Sequence, residues 1–359
     1  MQDFFLTALG LLFINIEEVG YERNHPLQQP IRRRPPLEKQ TAENRALIET
    51  DGKQVDFTDF GALKPNPEGN KMNKTIKNIL KIFLAGLATT VVRIIGQLSI
   101  PAGEQTVLAP SIFAQNGTMP LAFTVYGVFA YSLIAALFLL IRTRIGGNRI
   151  LQGLKYGLSC CVVWIVYLLE PLPHVAPLDR ITYPIADSLA LIVMGLLLGR
   201  LFGNPAQQAD KKNLPFPILP VPTVTACFFA GRMLQYLFLD IYSSFDEKPL
   251  ETVLWCLLTG IATSCVMVWL NRYVDSGGRI KRALILGGLL FGVNLVLFNF
   301  FMPLVFAADI PDLILRSFID ILAVTVGCLS FSNQENANPA DWGQGQCRKS
   351  EACDLENGC

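Results

Sequence analysis

The sequence has little charge and almost no histidine, and it lacks the short motifs of common enzymes. Only 16% of the 359 residues are charged, and two are histidines, whereas soluble domains carry about a quarter charged residues. It contains no HExxH motif, no GxSxG motif and no Walker GK[ST] loop. These absences argue against a histidine-ligated metal enzyme and against a self-contained ATP-driven machine. We therefore expect no cofactor and no bound metal.

Apolar residues are abundant instead, and they are grouped in long runs. Hydrophobic residues make up 51% of the chain, and the mean hydropathy is +0.39. A helix of roughly 20 apolar residues crosses the hydrocarbon core of a bilayer. The sequence therefore predicts an all-α, polytopic transmembrane helix bundle in the lipid bilayer. Its eight spans are predicted near residues 76–100, 121–141, 150–170, 184–203, 222–243, 252–271, 283–306 and 311–331.

The two ends of the chain differ from this apolar region. Residues 1–71 contain one short apolar run with no basic residue before it, followed by a segment rich in proline, glutamine and charge, which is typical of disorder. Met72 begins the sequence MNKTIKNILK, which resembles the start of a bacterial inner-membrane protein. Residues 1–71 are thus predicted to be a disordered extension or the result of a start-codon error. Residues 204–221 are a predicted cytoplasmic linker, and residues 333–359 a predicted disordered cytoplasmic tail.

Lysine and arginine are concentrated in alternate loops. The predicted loops 142–155, 200–212 and 272–282 are basic, whereas the opposite loops hold only Arg180 and Lys248. Cytoplasmic loops carry an excess of lysine and arginine. The pattern predicts a multi-pass protein of the cell (inner) membrane with both termini in the cytoplasm.

The eight predicted spans look like two sets of four. An offset of 130 residues places IRTRIGGNRI (141–150) over NRYVDSGGRI (271–280), with identical Arg, Gly and Ile residues, and the same offset later matches Pro173 with Pro303 and Asp179 with Asp309. A shorter match pairs FLAG (83–86) with FFAG (228–231). Four spans per repeat give both copies the same orientation. We therefore predict two parallel four-helix repeats, at residues 72–203 and 222–332; eight unrelated helices are the alternative.

A few charged and polar residues lie within the predicted spans, where they are costly unless they face the bundle or water. We expect one Arg–Asp pair per repeat: Arg93 with Asp187, and Arg232 with Asp320 or Asp240, while Arg316 is a local alternative partner for Asp320. Such pairs are either helix staples or a site for an anion or a coupled ion. The candidate ligand- or ion-binding residues are Arg93, Gln97, Asp187, Arg232, Gln235, Asp240 and Asp320.

One polar cluster breaks the internal repeat. Glu170, His174 and Asp179 lie at the outer end of the third predicted span, where the second repeat has Phe300 and Leu304 in place of the first two. A histidine and a glutamate four residues apart can bind a metal or move a proton. The prolines of this segment interrupt the helix, so an ordinary solvated loop is the alternative.

Three function classes follow from these features. The duplication and the buried charges favour a small-solute transporter or permease-like protein. The alternative is a structural or regulatory membrane protein, in which charge pairs staple helices and basic loops bind anionic lipid headgroups. A membrane-embedded enzyme using the outer polar cluster is the third. We expect a small molecule or ion as the substrate and no nucleic-acid partner.

Overall fold

The structure of the chain is a computed structural model that describes residues 67–100, 103, 105, 107–204, 219–274 and 278–331. The chain divides into two compact units, Met1–Asn78 and Ile79–Cys359. The described part of the first unit is the beginning of one helix. The predictions for residues 1–66, for most of the 204–221 linker and for the 333–359 tail lie outside the described residues.

Within the described ranges the chain is helical, with no strand and a single isolated bridge between Pro110 and Phe306. Helix α8 has three segments: Arg279–Ala283, a π-helical stretch at Leu284–Phe291, and Gly292–Asn299. The other helices are α1 (Pro67–Ser99), α2 (Ile112–Gln115), α3 (Met119–Ile141), α4 (Arg149–Leu168), α5 (Asp179–Phe202), α6 (Pro220–Phe238), α7 (Pro249–Asn271), α9 (Met302–Val305) and α10 (Ile310–Cys328). Helix α1 thus begins upstream of Met72, inside the segment predicted to be disordered.

Six helical segments of the described chain are long and apolar enough to cross a membrane. They match six of the eight predicted spans and make the chain a plausible multi-pass membrane protein. The other two predicted spans correspond to α6 and α10, which are 19 residues long. Arg232 and Gln235 make α6 less apolar, and α10 contains Asp312, Arg316 and Asp320. The eight-span arrangement therefore remains a prediction.

Glycines bring α4 and α5 into close contact. Gly153 and Gly157 of α4 face Gly195 and Gly199 of α5, and a Cβ atom added to Gly157 would lie 2.7 Å from the Leu191 carbonyl oxygen. Small residues spaced four apart allow membrane helices to approach at backbone distance. This seam joins the first half of α4 to the last half of α5.

Several side chains of α3, α4 and α7 reach backbone or side-chain atoms in distant parts of the chain. The Trp164 indole donates to the Asn294 amide oxygen at 2.7 Å, and the Tyr126 hydroxyl donates to the Leu297 carbonyl at 2.9 Å. The Trp255 indole donates to the Val166 carbonyl at 2.6 Å. These contacts join α4 to α8, α3 to α8, and α7 to α4. They place the polar residues of α1 and α6 beside a common aromatic core.

Candidate functional site

Arg93 of α1 and Asp187 of α5 form a buried, two-pronged ion pair. Arg93 Nε lies 2.6 Å from Asp187 Oδ1, and Arg93 Nη2 lies 2.9 Å from Asp187 Oδ2. The arginine is 4% exposed and the aspartate 1% exposed. Parallel hydrogen bonds of this type are the strongest geometry available to the two groups.

Aromatic rings surround the Arg93 guanidinium. The centre of the Phe301 ring lies 3.9 Å from its Cζ atom, the Phe123 ring 5.0 Å and the Trp164 ring 5.3 Å. A cation this close to a ring is attracted by the negative face of the π system, more strongly where water is excluded. Phe301 follows α8, so this ring comes from the second predicted repeat.

Arg232 of α6 and Asp320 of α10 form a second buried pair, with Arg232 Nη2 2.6 Å from Asp320 Oδ2. Asp320 also accepts hydrogen bonds from Gln235 Nε2 at 2.8 Å and from the Tyr167 hydroxyl at 3.0 Å. The Trp255 ring lies 4.8 Å from the guanidinium. Because Asp320 has three donors, both of its oxygens are bonded, and these donors come from two other helices, α4 and α6.

Glu170 adds a second acid to this pair. Its Oε1 atom accepts hydrogen bonds from Arg232 Nη1 at 3.1 Å, Arg316 Nη2 at 3.0 Å and the Tyr236 hydroxyl at 3.3 Å. Arg316 also donates to the Tyr242 carbonyl at 2.8 Å. We call the three donors Arg232, Arg316 and Tyr236 the Glu170 clamp. Glu170 is only 4% exposed, although it lies in the loop after α4.

Three polar atoms around the clamp lack hydrogen-bond partners. They are Nε of Arg232, Nε of Arg316 and Oε1 of Gln235, all buried. A buried polar group without a partner costs about 1–3 kcal/mol. Each of the two guanidiniums that bind Glu170 therefore keeps one buried N–H donor without an acceptor.

Glu170, His174 and Asp179 have different partners. Asp179 accepts the Gly103 amide N–H at 2.7 Å, and His174 Nδ1 lies 3.1 Å from the Tyr242 hydroxyl, with the two rings stacked. The described ranges contain no group of three or more His, Cys, Asp or Glu residues arranged to hold a metal. Each member of the cluster thus bonds a different group.

The pKa of His174 is lowered to about 4. Burial is the main cause because it disfavours the charged imidazolium, and the nearby Arg316 adds to the shift, while Glu170 and Asp179 oppose it. His174 is thus uncharged at neutral pH and contributes packing rather than charge to this end of the protein.

Two of the alternative pairings that the sequence left open are not the ones formed. Arg316 pairs with Glu170 rather than with Asp320, because Asp320 faces Arg232. Asp240 is exposed at the end of α6, with a positive φ of 49°, and Asp320 rather than Asp240 pairs with Arg232. Gln97 is half-buried, one turn beyond Arg93.

Sequence reasoning missed the aromatic residues of the site. Tyr236 lies four residues after Arg232 on α6, a spacing that places both side chains on one helix face, so it could have been found. Tyr167 lies on α4 and bonds Asp320 of α10, a contact that local spacing does not predict. Phe301 and Trp255 come from distant parts of the chain, and no local pattern connects them to the arginines.

A groove of about 340 Å³ lies near the clamp, and its lining includes Trp255, whose ring also lies beside Arg232. Its walls are mainly apolar and its rim holds Arg180 and Glu251, whose charged atoms are 3.7 Å apart. Neither arginine of the two buried pairs is part of its lining. The lining residues are Val166, Leu169, Pro171, Arg180, Glu251, Leu254, Trp255, Leu258 and Thr259.

Comparison of the chain with protein-family models, with curated proteins and with solved structures gave no match in any of the three.

Proposed function

We propose that the chain is an eight-span, small-solute transporter of a bacterial inner membrane, built from two parallel four-helix repeats with both termini in the cytoplasm. Helices α1 and α3–α5 form the first repeat, and α6–α8 and α10 form the second. The observation that carries the proposal is the buried Arg–Asp pair in each half, Arg93 with Asp187 and Arg232 with Asp320.

Equivalent contacts in the two halves support the duplication. Trp164 and Asn294 are 130 positions apart and hydrogen-bonded to each other, as expected of equivalent residues next to a two-fold axis. At nearly the same offset, Tyr126 corresponds to Trp255 and Val166 corresponds to Leu297. The bond from Tyr126 to Leu297 therefore has its counterpart in the bond from Trp255 to Val166.

The same relation extends to the loops. The Ser111 hydroxyl donates to the Leu304 carbonyl at 2.7 Å, and its counterpart at nearly the same offset is the contact between Tyr242 and His174. The FLAG and FFAG segments do not take part, since Phe83 is 48% exposed and Phe228 fully buried. An alignment of α1 with α6 that places Arg93 opposite Arg232 matches the buried faces of the two helices better.

Charge in the membrane supports transport over plain packing. A charged residue at the centre of a membrane helix costs about 2.5–3.5 kcal/mol on insertion scales and usually marks a substrate or ion path. Transporters with internal repeats bind substrates near the midplane, at the interface between repeats. Here each arginine touches residues of the opposite half, Phe301 at Arg93 and Glu170 at Arg232.

The test is uptake by the purified full chain in proteoliposomes, using a panel of labelled small organic anions and cations. We expect uptake of at least one solute, and loss of that uptake in the Arg232→Leu/Asp320→Leu double variant, which removes both charges of one pair. An exposed-site variant, Asp309→Asn, is the matched control. A folded wild-type protein that transports no solute of the panel would count against the proposal.

A second candidate function is a scaffold in which the ion pairs hold helices together. It is favoured because neither aspartate has a carboxylate oxygen left without a donor. All four carboxylate oxygens of Asp187 and Asp320 already have donors. In this function the basic loops hold anionic lipid headgroups. Replacing both charges of a buried pair by apolar residues can be nearly neutral for stability. A scaffold thus predicts that the double variant keeps the full cellular phenotype, whereas a transporter predicts a folded but inactive protein.

A further inference from the structure

The surroundings of Arg232 in the Glu170 clamp differ from those of Arg93 in the first half, which has no arginine at the position that corresponds to Arg316. Arg93 is covered by the apolar ring of Phe301, whereas Arg232 is covered by the carboxylate of Glu170. The 130-residue offset places Glu170 over Phe300, next to Phe301. Both arginines have aromatic rings beside them. The acid at position 170 is therefore an addition at the arginine of the second half, where it faces Arg316 as well as Arg232.

Glu170 and Asp320 are held in different ways. Asp320 lies on α10 and is bonded by donors from α4 and α6, whereas Glu170 lies in the loop between α4 and α5. All three clamp bonds converge on one oxygen, Glu170 Oε1. Loops open at lower free energy than packed helices, so Glu170 is the acid that can leave.

If Glu170 left the clamp, the remaining buried groups would carry a net positive charge. Without Glu170, the buried groups are Arg232⁺, Arg316⁺ and Asp320⁻, and an uncompensated buried charge is strongly unfavourable. Asp312 does not replace Glu170, since it is half-exposed and accepts the Tyr242 amide N–H at 3.3 Å. Two guanidiniums and a tyrosine hydroxyl would then face one space, with both arginine Nε atoms still without acceptors.

We propose that Arg232, Arg316 and Tyr236 form a binding site for the carboxylate of a small organic anion, and that Glu170 is its intramolecular competitor. The ligand carboxylate takes the place of the Glu170 carboxylate, accepts the same three hydrogen bonds and restores neutrality. This inference rests on the proposed function in that it names the substrate class, but binding can be measured without transport.

Chemical rescue tests the site. The Glu170→Ala variant of the full chain, purified in detergent, should have a lower Tm than wild type. Sodium acetate should raise that Tm towards the wild-type value in a saturable way, and sodium chloride at equal ionic strength should not. The Glu170→Ala/Arg316→Gln variant should not respond to acetate. Glu251→Ala removes the exposed partner of Arg180 and is the matched control.

Equal effects of acetate and chloride, or an equal response of Glu251→Ala, would overturn the inference. If Glu170→Ala does not fold, Glu170→Gln retains the side-chain shape and keeps the test decisive. If Glu170 fills the clamp about nine-tenths of the time, removing its charge raises the apparent acetate affinity about tenfold. An affinity equal to that of wild type would again contradict competition.

The outcomes separate this site from the proposed function. Acetate rescue without uptake of any solute would support the carboxylate site and count against a transporter. Uptake that depends on Arg232 but shows no acetate rescue would support a transporter and overturn the carboxylate site.

Discussion

The indole N–H of Trp164 donates to the side-chain oxygen of Asn294, 130 positions further along the chain. Trp164 is 1% exposed and Asn294 2% exposed, so neither group has water as an alternative partner. If the halves are related by a two-fold axis along the membrane normal, this bond lies beside the axis. The bond joins α4 to α8 in the buried core.

Replacing Trp164 by Phe should destabilise the protein by more than about 0.6 kcal/mol, the average for hydrogen bonds between membrane helices, because the smaller ring also leaves a cavity in the core. The change removes the donor and leaves the Asn294 oxygen buried without a partner. Thermal unfolding in detergent measures the effect. Trp269→Phe is the control, because Trp269 is half-buried and stacks edge-on against nearby Tyr273. Equal shifts in the two variants would argue against a special role for the Trp164–Asn294 bond.

Neutralising one member of either ion pair should be strongly destabilising. Asp187→Asn and Asp320→Asn each leave a buried arginine without its counter-charge, which costs about 3–5 kcal/mol in buried pairs. The Arg93→Leu/Asp187→Leu double variant should recover most of that loss. Expression level and Tm in detergent measure the relative stability of the wild type, the single variants and the double variant. A stable Asp187→Asn protein would show that the Arg93 charge is compensated in another way.

The ion pairs also show what the sequence could and could not predict. Hydropathy located the helices, and the depth of Arg93 and Asp187 in their spans was enough to suggest a pair. Glu170 was grouped with His174 because they are close in sequence, but its side chain reaches Arg232 and Arg316, which lie on α6 and α10. Contacts between distant helices leave no local spacing pattern, so the clamp required the structure.

The glycine seam between α4 and α5 gives a sharp comparison of two alanine substitutions. Gly153→Ala places a methyl group against the backbone of Gly195 and Gly199, whereas a Cβ atom at Gly288 has no heavy atom within 4 Å. Overpacking typically costs about 1–3 kcal/mol. We expect a clearly lower Tm for Gly153→Ala and little change for Gly288→Ala. Similar Tm values would mean that α4 and α5 can move apart at little cost.

The membrane orientation is tested by cysteine labelling in intact cells. An impermeant maleimide should modify single cysteines introduced at the exposed positions Glu247 and Ala307, and should spare those at Thr143 and Asn148, because basic loops stay in the cytoplasm. Permeabilised cells are the control and should label all four positions. Labelling of Thr143 or Asn148 in intact cells would overturn the proposed orientation.

The lowered pKa of His174 predicts that the folded protein loses stability in acid. Its pKa is lowered to about 4 in the folded protein, chiefly by burial, whereas the pKa of a histidine in an unfolded chain is about 6.5. Between these two pH values the unfolded chain binds more protons than the folded one, so stability falls as the pH drops through this range. We expect the Tm of the wild type to decrease more steeply from pH 6.5 to pH 4 than that of His174→Gln. The variant loses the bond to Tyr242 at every pH, which lowers its Tm but adds no pH dependence. Parallel pH profiles for the two proteins would show that His174 is not the group responsible.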